Sequence, residues 1–466
     1  MNSLLGVNIN WSVFFVLAFI TFLIPGITIF SFFAILLTLH QFMLLFYSIG
    51  YIIPIRYLFG FLMCLQLLLG PTLAYNVDVA KIQMRIPEVE YFSYVLPAVL
   101  CFIIGLHISS KKLDGEFLSE EKIVKYIASQ NNLPFIFIAI GFLSSYMSNM
   151  FASELAFVFY LLAGMKFIGV FMIIIGSRKL KIIPLMIVYG SIIASSLNDA
   201  MFHDLLTWLI FLGVIFTIKY RPSVNIKVMM AIAFFLFTVF IQSIKKDYRS
   251  ATWEEGKITG VETLSESFEK NETQGSFLSA KSLSKNIVRI NQGYIVTNVM
   301  KTVPAVVPYS KGEELNQILT AAILPRILAP NKLTAGNQEL FKKYTGLPLR
   351  KGTSMALSSV GDAYINFGIM GGCIFMFFYG LLFSEVLKAF HRYSRYYPTL
   401  LLFTPLVFYY PIRPDCELQT ILGHLVKSCF LIFVIFQLWK KYLIVYPLAP
   451  EKDIHTDPLV PASLAP

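Results

Sequence analysis

The feature that most constrains this chain is the recurrence of apolar runs of about 18 to 20 residues, the length a helix needs to cross the hydrocarbon core of a bilayer. Hydropathy places twelve of them, near 9–24, 27–47, 57–75, 91–108, 133–149, 154–176, 182–198, 203–219, 226–244, 362–386, 397–412 and 419–439. Several are too long for strands of a membrane barrel and none alternates polar with apolar, so helices must satisfy the backbone in lipid. Composition agrees: of 466 residues 56% are apolar and only 14% charged, against about 25% charged in a soluble domain. A soluble enzyme, a secreted disulfide scaffold and a disordered chain are excluded. The fold class expected is an all-α polytopic integral membrane protein with about twelve transmembrane helices. Pro25-Gly26 allows either a tight hairpin between the first two runs or a kink in one long helix. The five cysteines lie in or beside apolar runs without paired ligand spacing and read as small buried hydrophobes. The opening MNSLLGVNINW has no positive region before its apolar run, so that run reads as a retained span.

The net charge of +11 has to be read by location. With a cytoplasmic N-terminus, the inner segments hold 17 basic residues and the short outer loops hold three, Lys81, Arg85 and Arg413. That asymmetry follows the positive-inside rule, supports an even span count and puts both termini in the cytoplasm. The chain then divides into an N-terminal membrane domain (1–244), a large outer loop (245–353), a C-terminal membrane domain (354–446) and a cytoplasmic tail (447–466).

The outer loop breaks the pattern of short connections, and long loops are usually functional or disordered. Residues 245–283 are polar with six basic and seven acidic residues, whereas 284–353 carry ten basic residues against three acidic ones, Glu313, Glu314 and Glu339. Within the latter, IVRINQGYIVTNVMKTV and LNQILTAAILPRIL have apolar residues every three or four positions, which predicts short helices lying on or between the spans.

A basic, partly helical outer loop beside many spans suits an anionic, lipid-linked substrate, because arginine grips pyrophosphate through paired charge-assisted hydrogen bonds. The candidates are Arg249, Arg289, Arg326, Lys332 and Arg350; binding lipid headgroups is the plainer use of such residues. Arg326 and Lys332 sit in LPRILAPNK, where two prolines stiffen the backbone between them. Residues 352–372, GTSMALSSVGDAYINFGIMGG, place Asp362 and Tyr364 at the mouth of the tenth span, with Gly368, Gly371 and Gly372 permitting close helix contact. Asp362 is either a charge favoured by a helix N-terminus or a general base. In PIRPDCEL, Arg413, Asp415 and Glu417 lie in the outer turn before the last span, and NDAMFHD brings Asp199, His203 and Asp204 to the same face. Lys166 and Lys427 fall inside spans, where snorkelling and internal pairing compete. A nucleotide-binding GxxxxGK[ST] loop and a zinc-protease HExxH are both missing, and no compact basic domain suggests nucleic acid.

About a dozen spans, one large outer loop late in the chain, a Tyr248-Arg249 pair, a PR…P.K segment at 325–332 and the GDAYINFG re-entry together resemble the Wzy-type O-antigen and oligosaccharide repeat-unit polymerases. The likeness in sequence is confined to about 245–372. Two Arg-ten-residues-Gly pairs, Arg249…Gly260 and Arg350…Gly361, match a pattern described for outer loops of that family. The resemblance implies a GT-C-like glycosyltransferase of the bacterial inner membrane. Its donor would be a growing glycan on undecaprenyl pyrophosphate, and its acceptor a hydroxyl of another lipid-linked repeat unit. It implies no metal and no cofactor, and a chain-length regulator and a flippase as partners in the bilayer. Carried over, Arg249, Arg326, Lys332 and Arg350 would contact pyrophosphate or glycan and Asp362 would be the base. Arg326, Arg350 and Asp362 are the expected catalytic residues, and Arg289, Tyr364, Arg413 and Asp415, read from the residues themselves, are expected to join Arg249 and Lys332 in binding substrate. The rivals are an O-antigen ligase, disfavoured because 245–353 holds no histidine, a lipid-linked oligosaccharide flippase, and a non-catalytic assembly subunit.

Overall fold

A computed structural model describes residues 9–76, 84–108, 125–127, 129–130, 132–148, 150–151, 153–177, 180–254, 260, 263–267, 290–324, 328–329, 331–349, 354–394 and 396–439. Among these residues every regular element is helical. Each of the twelve apolar runs contains helix, and eight of the resulting helices are long and apolar enough to cross a membrane. The membrane-type helices are α1 (Trp11–Phe22), α2 (Ile29–Ser48), α3 (Ile55–Asn76), α4 (Glu88–His107), α5 (Leu133–Met147), α6 (Ser153–Ala163), α7 (Met165–Gly176), α8 (Ile182–Asn198), α9 (His203–Tyr220) and α10 (Val224–Arg249). The loop contributes α11 (Gly293–Thr302), α12 (Glu313–Ile323) and α13 (Gln338–Thr345), and the chain returns through α14 (Ser359–Tyr393) and α15 (Leu418–Leu438). Apolar side chains of α1, α8 and α10 such as Phe15, Ile183 and Met229 point outward. Around a water-soluble core that would be costly, and around a membrane bundle it is the lipid-facing surface.

The first two runs form a hairpin. Asn10 and Thr28 cap α1 and α2 by accepting the backbone N–H groups of Val13 and Ser31, and Gly26 turns the chain at φ +77°. Trp11 and Phe14 then lie against His40, and Phe22 against Phe32, as antiparallel helices require.

At the centre, α4 and α14 run parallel: Tyr94 meets Gly372, Phe102 meets Gly380, and Gly105 meets Phe377 and Leu381. The Tyr94 hydroxyl donates to the Val360 carbonyl (2.7 Å), fixing the register near the start of α14. The backbones approach so closely that a Cβ on Gly105 would fall 2.0 Å from the Phe377 oxygen, and one on Gly380 2.2 Å from the Phe102 oxygen. Small residues are what allow such contact in a membrane bundle.

Helix α3 carries the loop. A π-turn over Leu65–Leu69 moves the Gly70 N–H to the Leu65 carbonyl, and Pro71 has no N–H to give to Leu67. Two carbonyls are thereby freed. That of Gln66 accepts the Gln292 N–H (3.1 Å) and that of Leu67 the Tyr91 hydroxyl (2.9 Å). Helix α11 follows Gln292 and buries Ile295, Val296, Val299 and Met300, so the first amphipathic run of the loop packs against the spans as its periodicity predicts. Tyr91→Phe should lower stability by about 1–3 kcal/mol, because the Leu67 carbonyl is left buried without a donor; thermal unfolding of the purified protein measures it, and an unchanged midpoint would discount this bond.

Two lysines counted on the inner side cap helix ends. Lys227 donates to the Ile49 carbonyl beyond α2 (2.6 Å) and Lys219 to Ile175 near the end of α7 (2.9 Å), where cations complement exposed carbonyls. The run at 397–412 differs from expectation. It is a 3₁₀ stretch Pro398–Phe403 followed by a single α-turn Thr404–Val407, shortened by Pro398 and Pro405. Its residues are buried, which is where irregular backbone is tolerated at membrane depth. From the far end of α14 at Tyr393, this broken path returns the chain to Glu417, beside the start of the same helix. Helix α10 also continues past the expected boundary at 244 to Arg249. All five cysteines are free; Cys64 and Cys416 are buried and the others half-buried.

Candidate functional site

Helix α14 is interrupted at Gly368, whose φ of +65° and ψ of −157° suit glycine and not other residues. The preceding turns, carrying VGDAYINF, form a short separate helix held by its own network. Asn366 is buried; its carbonyl accepts from the Ser310 hydroxyl (2.8 Å) and the Leu315 N–H (3.0 Å), while its amide donates to the Asp362 carbonyl (2.8 Å). The start of α12 is thus stapled to the start of α14. Tyr364 is buried between Tyr94 and Tyr309, with ring centroids 4.9 and 5.7 Å away. Of the three glycines expected to permit helix contact, Gly372 meets Tyr94 and Gly368 meets Tyr309, whereas Gly371 faces only Phe367 of its own helix.

Asp362 is 5% exposed. Its carboxylate receives the Leu418 backbone N–H at the start of α15 and lies in the electrostatic field of Glu417 and Glu314. Three acidic residues from separate elements therefore converge. Glu314 accepts from Lys343 (2.9 Å) and the Tyr344 hydroxyl (2.8 Å), tying α13 to α12, and its second oxygen is buried without a hydrogen bond. Glu417 receives the Gly336 N–H on both oxygens (3.1 and 3.0 Å). Burial raises the Glu417 pKa above the ordinary carboxylate value, and the Gly336 N–H opposes that shift. Among the described residues no group of three His, Cys, Asp or Glu side chains is arranged to hold a metal ion.

In front of Glu417 opens a cavity of about 520 Å³, lined by the loop at Ala335, Gly336 and Gln338, by Ser354–Ala356, by Asp415–Glu417 and by Thr420. Its walls come from the outer loop and from both sides of the re-entry. Gln419 bonds the Leu333 carbonyl (2.9 Å) and Gln292 that of Ala356 (3.0 Å), holding those walls together.

Beside the cavity, Arg413 lies 3.6 Å from Asp415 and over the Tyr410 ring. Tyr410 reaches the Tyr160 hydroxyl (3.3 Å), and the neighbouring Tyr409 hydroxyl donates to Asp204, which also pairs with His203 (2.6 Å). The turn NDAMFHD and the turn PIRPDCEL therefore meet, as their common face predicts.

The remaining expected site residues fare unevenly. Arg289, Arg326 and Arg350 lie outside the described residues. Arg249 donates to the Ala200 carbonyl (2.9 Å) and so joins the NDAMFHD turn. Lys332 caps α12 by donating to the Ala321 and Leu324 carbonyls (3.0 and 2.5 Å), a structural use of a residue expected to grip substrate. Lys332→Met should accordingly cost about 0.3–1 kcal/mol of stability, read by thermal unfolding; an unchanged midpoint would discount this cap. Lys166 bonds Ser145 (3.2 Å) and lies over Phe142, and Lys427 lies over Phe157, so both spans accommodate their charge locally. Glu314, Gly336 and Tyr409 carry no motif that would have singled them out, and Asn366 lies within the GDAYINFG stretch without being distinguished there.

The model of a family described as "Domain of unknown function (DUF8712)" matches residues 91–447. No curated protein and no solved structure matches the chain.

Proposed function

The chain belongs to the DUF8712 family, and we propose that it joins undecaprenyl-pyrophosphate-linked oligosaccharide repeat units into a polysaccharide at the outer face of a bacterial inner membrane. The observation that carries this reading is the meeting of buried Asp362, Glu417 and the loop-walled cavity at one end of the bundle. Twelve spans with both termini cytoplasmic accord with the parallel course of α4 and α14, the fourth and tenth in that count. A GT-C-like architecture accords with a helical bundle roofed by a partly helical loop.

In the reaction, an acceptor hydroxyl oxygen bonds to the anomeric carbon of the donor glycan while the bond from that carbon to pyrophosphate breaks. The hydroxyl proton passes to the Asp362–Glu417 pair, in which Glu417 lines the cavity and buried Asp362 stands behind it. The departing lipid pyrophosphate needs cations, the role the resemblance gives to Arg326 and Arg350, with Arg289 and Arg413 as further substrate contacts. Burial of Asp362 shields it from bulk water. Arg326→Ala is expected to leave surface glycan at one repeat unit, as gel electrophoresis of the glycan would show; normal chain lengths in that variant would count against the proposal.

A further inference from the structure

The cavity in front of Glu417 has a chemical character that the polymerase reading does not specify. Two carboxylates, Asp415 and Glu417, line it together with Gln338, Ser354, Thr420 and the buried, uncharged Cys416, and no described lining residue is a cation. The nearest described guanidinium, Arg413, approaches Asp415 at 3.6 Å but lies outside the lining. Behind the wall, Asp362 lies in the field of Glu417 and Glu314. At about 520 Å³ the volume falls within the roughly 300–1,000 Å³ of small-molecule pockets. Carboxylates, amides and hydroxyls on a half-apolar wall are the groups that hold vicinal hydroxyls, since a carboxylate offers acceptors to two donors at once. They also repel another carboxylate and attract an ammonium group. A pyrophosphate is poorly matched to this lining.

We propose that this cavity is a saccharide subsite that takes an uncharged or amine-bearing sugar unit and disfavours one that carries a carboxylate. Assigning that sugar to the acceptor rests on the polymerase reading; the charge preference does not. The nucleophilic hydroxyl would then lie on the carboxylate side of the reaction.

The test uses full-length protein in lipid nanodiscs titrated with methyl glucoside, methyl glucosaminide and methyl glucuronoside, followed by saturation-transfer NMR. The uronide is expected to bind about tenfold or more weakly than the glucoside, the scale of a charge-assisted hydrogen bond replaced by repulsion. Asp415→Asn, at an exposed position, should narrow that gap without disturbing the fold, and Glu417→Gln should narrow it further. Thr420→Val should weaken all three ligands and leave their ratios unchanged. Equal or tighter binding of the uronide, no saturation transfer to any ligand, or ratios indifferent to both acidic variants would overturn the proposal. Polymer length in cells separates the two ideas: selective binding with no polymerisation defect anywhere in the site removes the polymerase and keeps the subsite, whereas unselective binding with collapsed polymer does the reverse.

Discussion

Asp362→Asn should abolish polymer formation while the protein still folds and inserts. The amide has nearly the shape of the carboxylate, and its oxygen can still accept the Leu418 N–H that holds Asp362 in place. Asn366 is anchored to the backbone carbonyl of residue 362, which the change does not touch. What is lost is the ability to take a proton from an attacking hydroxyl, an effect of about 10²–10⁴ in rate. Glu417→Gln should cost less, because Gly336 can donate to the amide oxygen as it does to the carboxylate. If the two residues share one proton-transfer task, the double variant will fall no further than Asp362→Asn alone. Normal glycan length in Asp362→Asn, with normal protein abundance, would remove this residue from the chemistry.

The second large effect is structural. Gly380→Ala should destabilise the bundle by about 3 kcal/mol or more, because the new methyl would meet the Phe102 carbonyl oxygen at 2.2 Å. Backbone of a neighbouring helix cannot swing aside as a side chain does, so α4 and α14 must separate. Gly105→Ala makes the reciprocal clash with the Phe377 oxygen at 2.0 Å and should behave alike. Gly190→Ala and Gly213→Ala provide the control, since nothing lies within 4 Å of either added carbon; those changes should be neutral or slightly stabilising in their helices. Size-exclusion profiles and thermal midpoints would distinguish the two classes. Equal midpoints for Gly380→Ala and Gly190→Ala would contradict the packed parallel pair, and with it the position of Asp362 relative to the rest of the bundle.

The parts of this fold that were readable in advance are those set by local composition. Each apolar run contains helix because lipid leaves the backbone few alternatives, and the amphipathic periodicity of the loop located α11 and α12. The return path through 398–407 has the hydropathy of an ordinary span; Pro398, Pro405 and the cover of surrounding helices, visible only in three dimensions, make a broken segment of it instead. The π-turn in α3 was hidden for a related reason, since its freed carbonyls are accounted for only by Tyr91 and Gln292, distant in sequence.

The candidate site was legible as three separate polar stretches, 352–372, 411–418 and 198–204. Their convergence depends on contacts such as Tyr409 with Asp204, two residues 205 positions apart, which no local pattern encodes. Glu314 enters the sequence reading only as one of three acidic residues in a basic segment; its bonds to Lys343 and Tyr344 and its field on Asp362 give it a place in the site. Lys332 has a use that its sequence context did not suggest. Its charge and its proline neighbours suggested a substrate contact, whereas the carbonyl ends of α12 lie within its reach only after the chain has turned back.

The central proposal, that this chain extends lipid-linked glycan on the outer face, is tested most directly by the length distribution of undecaprenyl-linked and surface glycan in cells from which its gene is deleted. Single repeat units on both carriers, exposed on the outer leaflet and restored to a ladder by the intact gene, are the predicted result. Full-length polymer accumulating on the lipid carrier, or repeat units confined to the cytoplasmic leaflet, would contradict it and transfer the assignment to a ligase or a flippase.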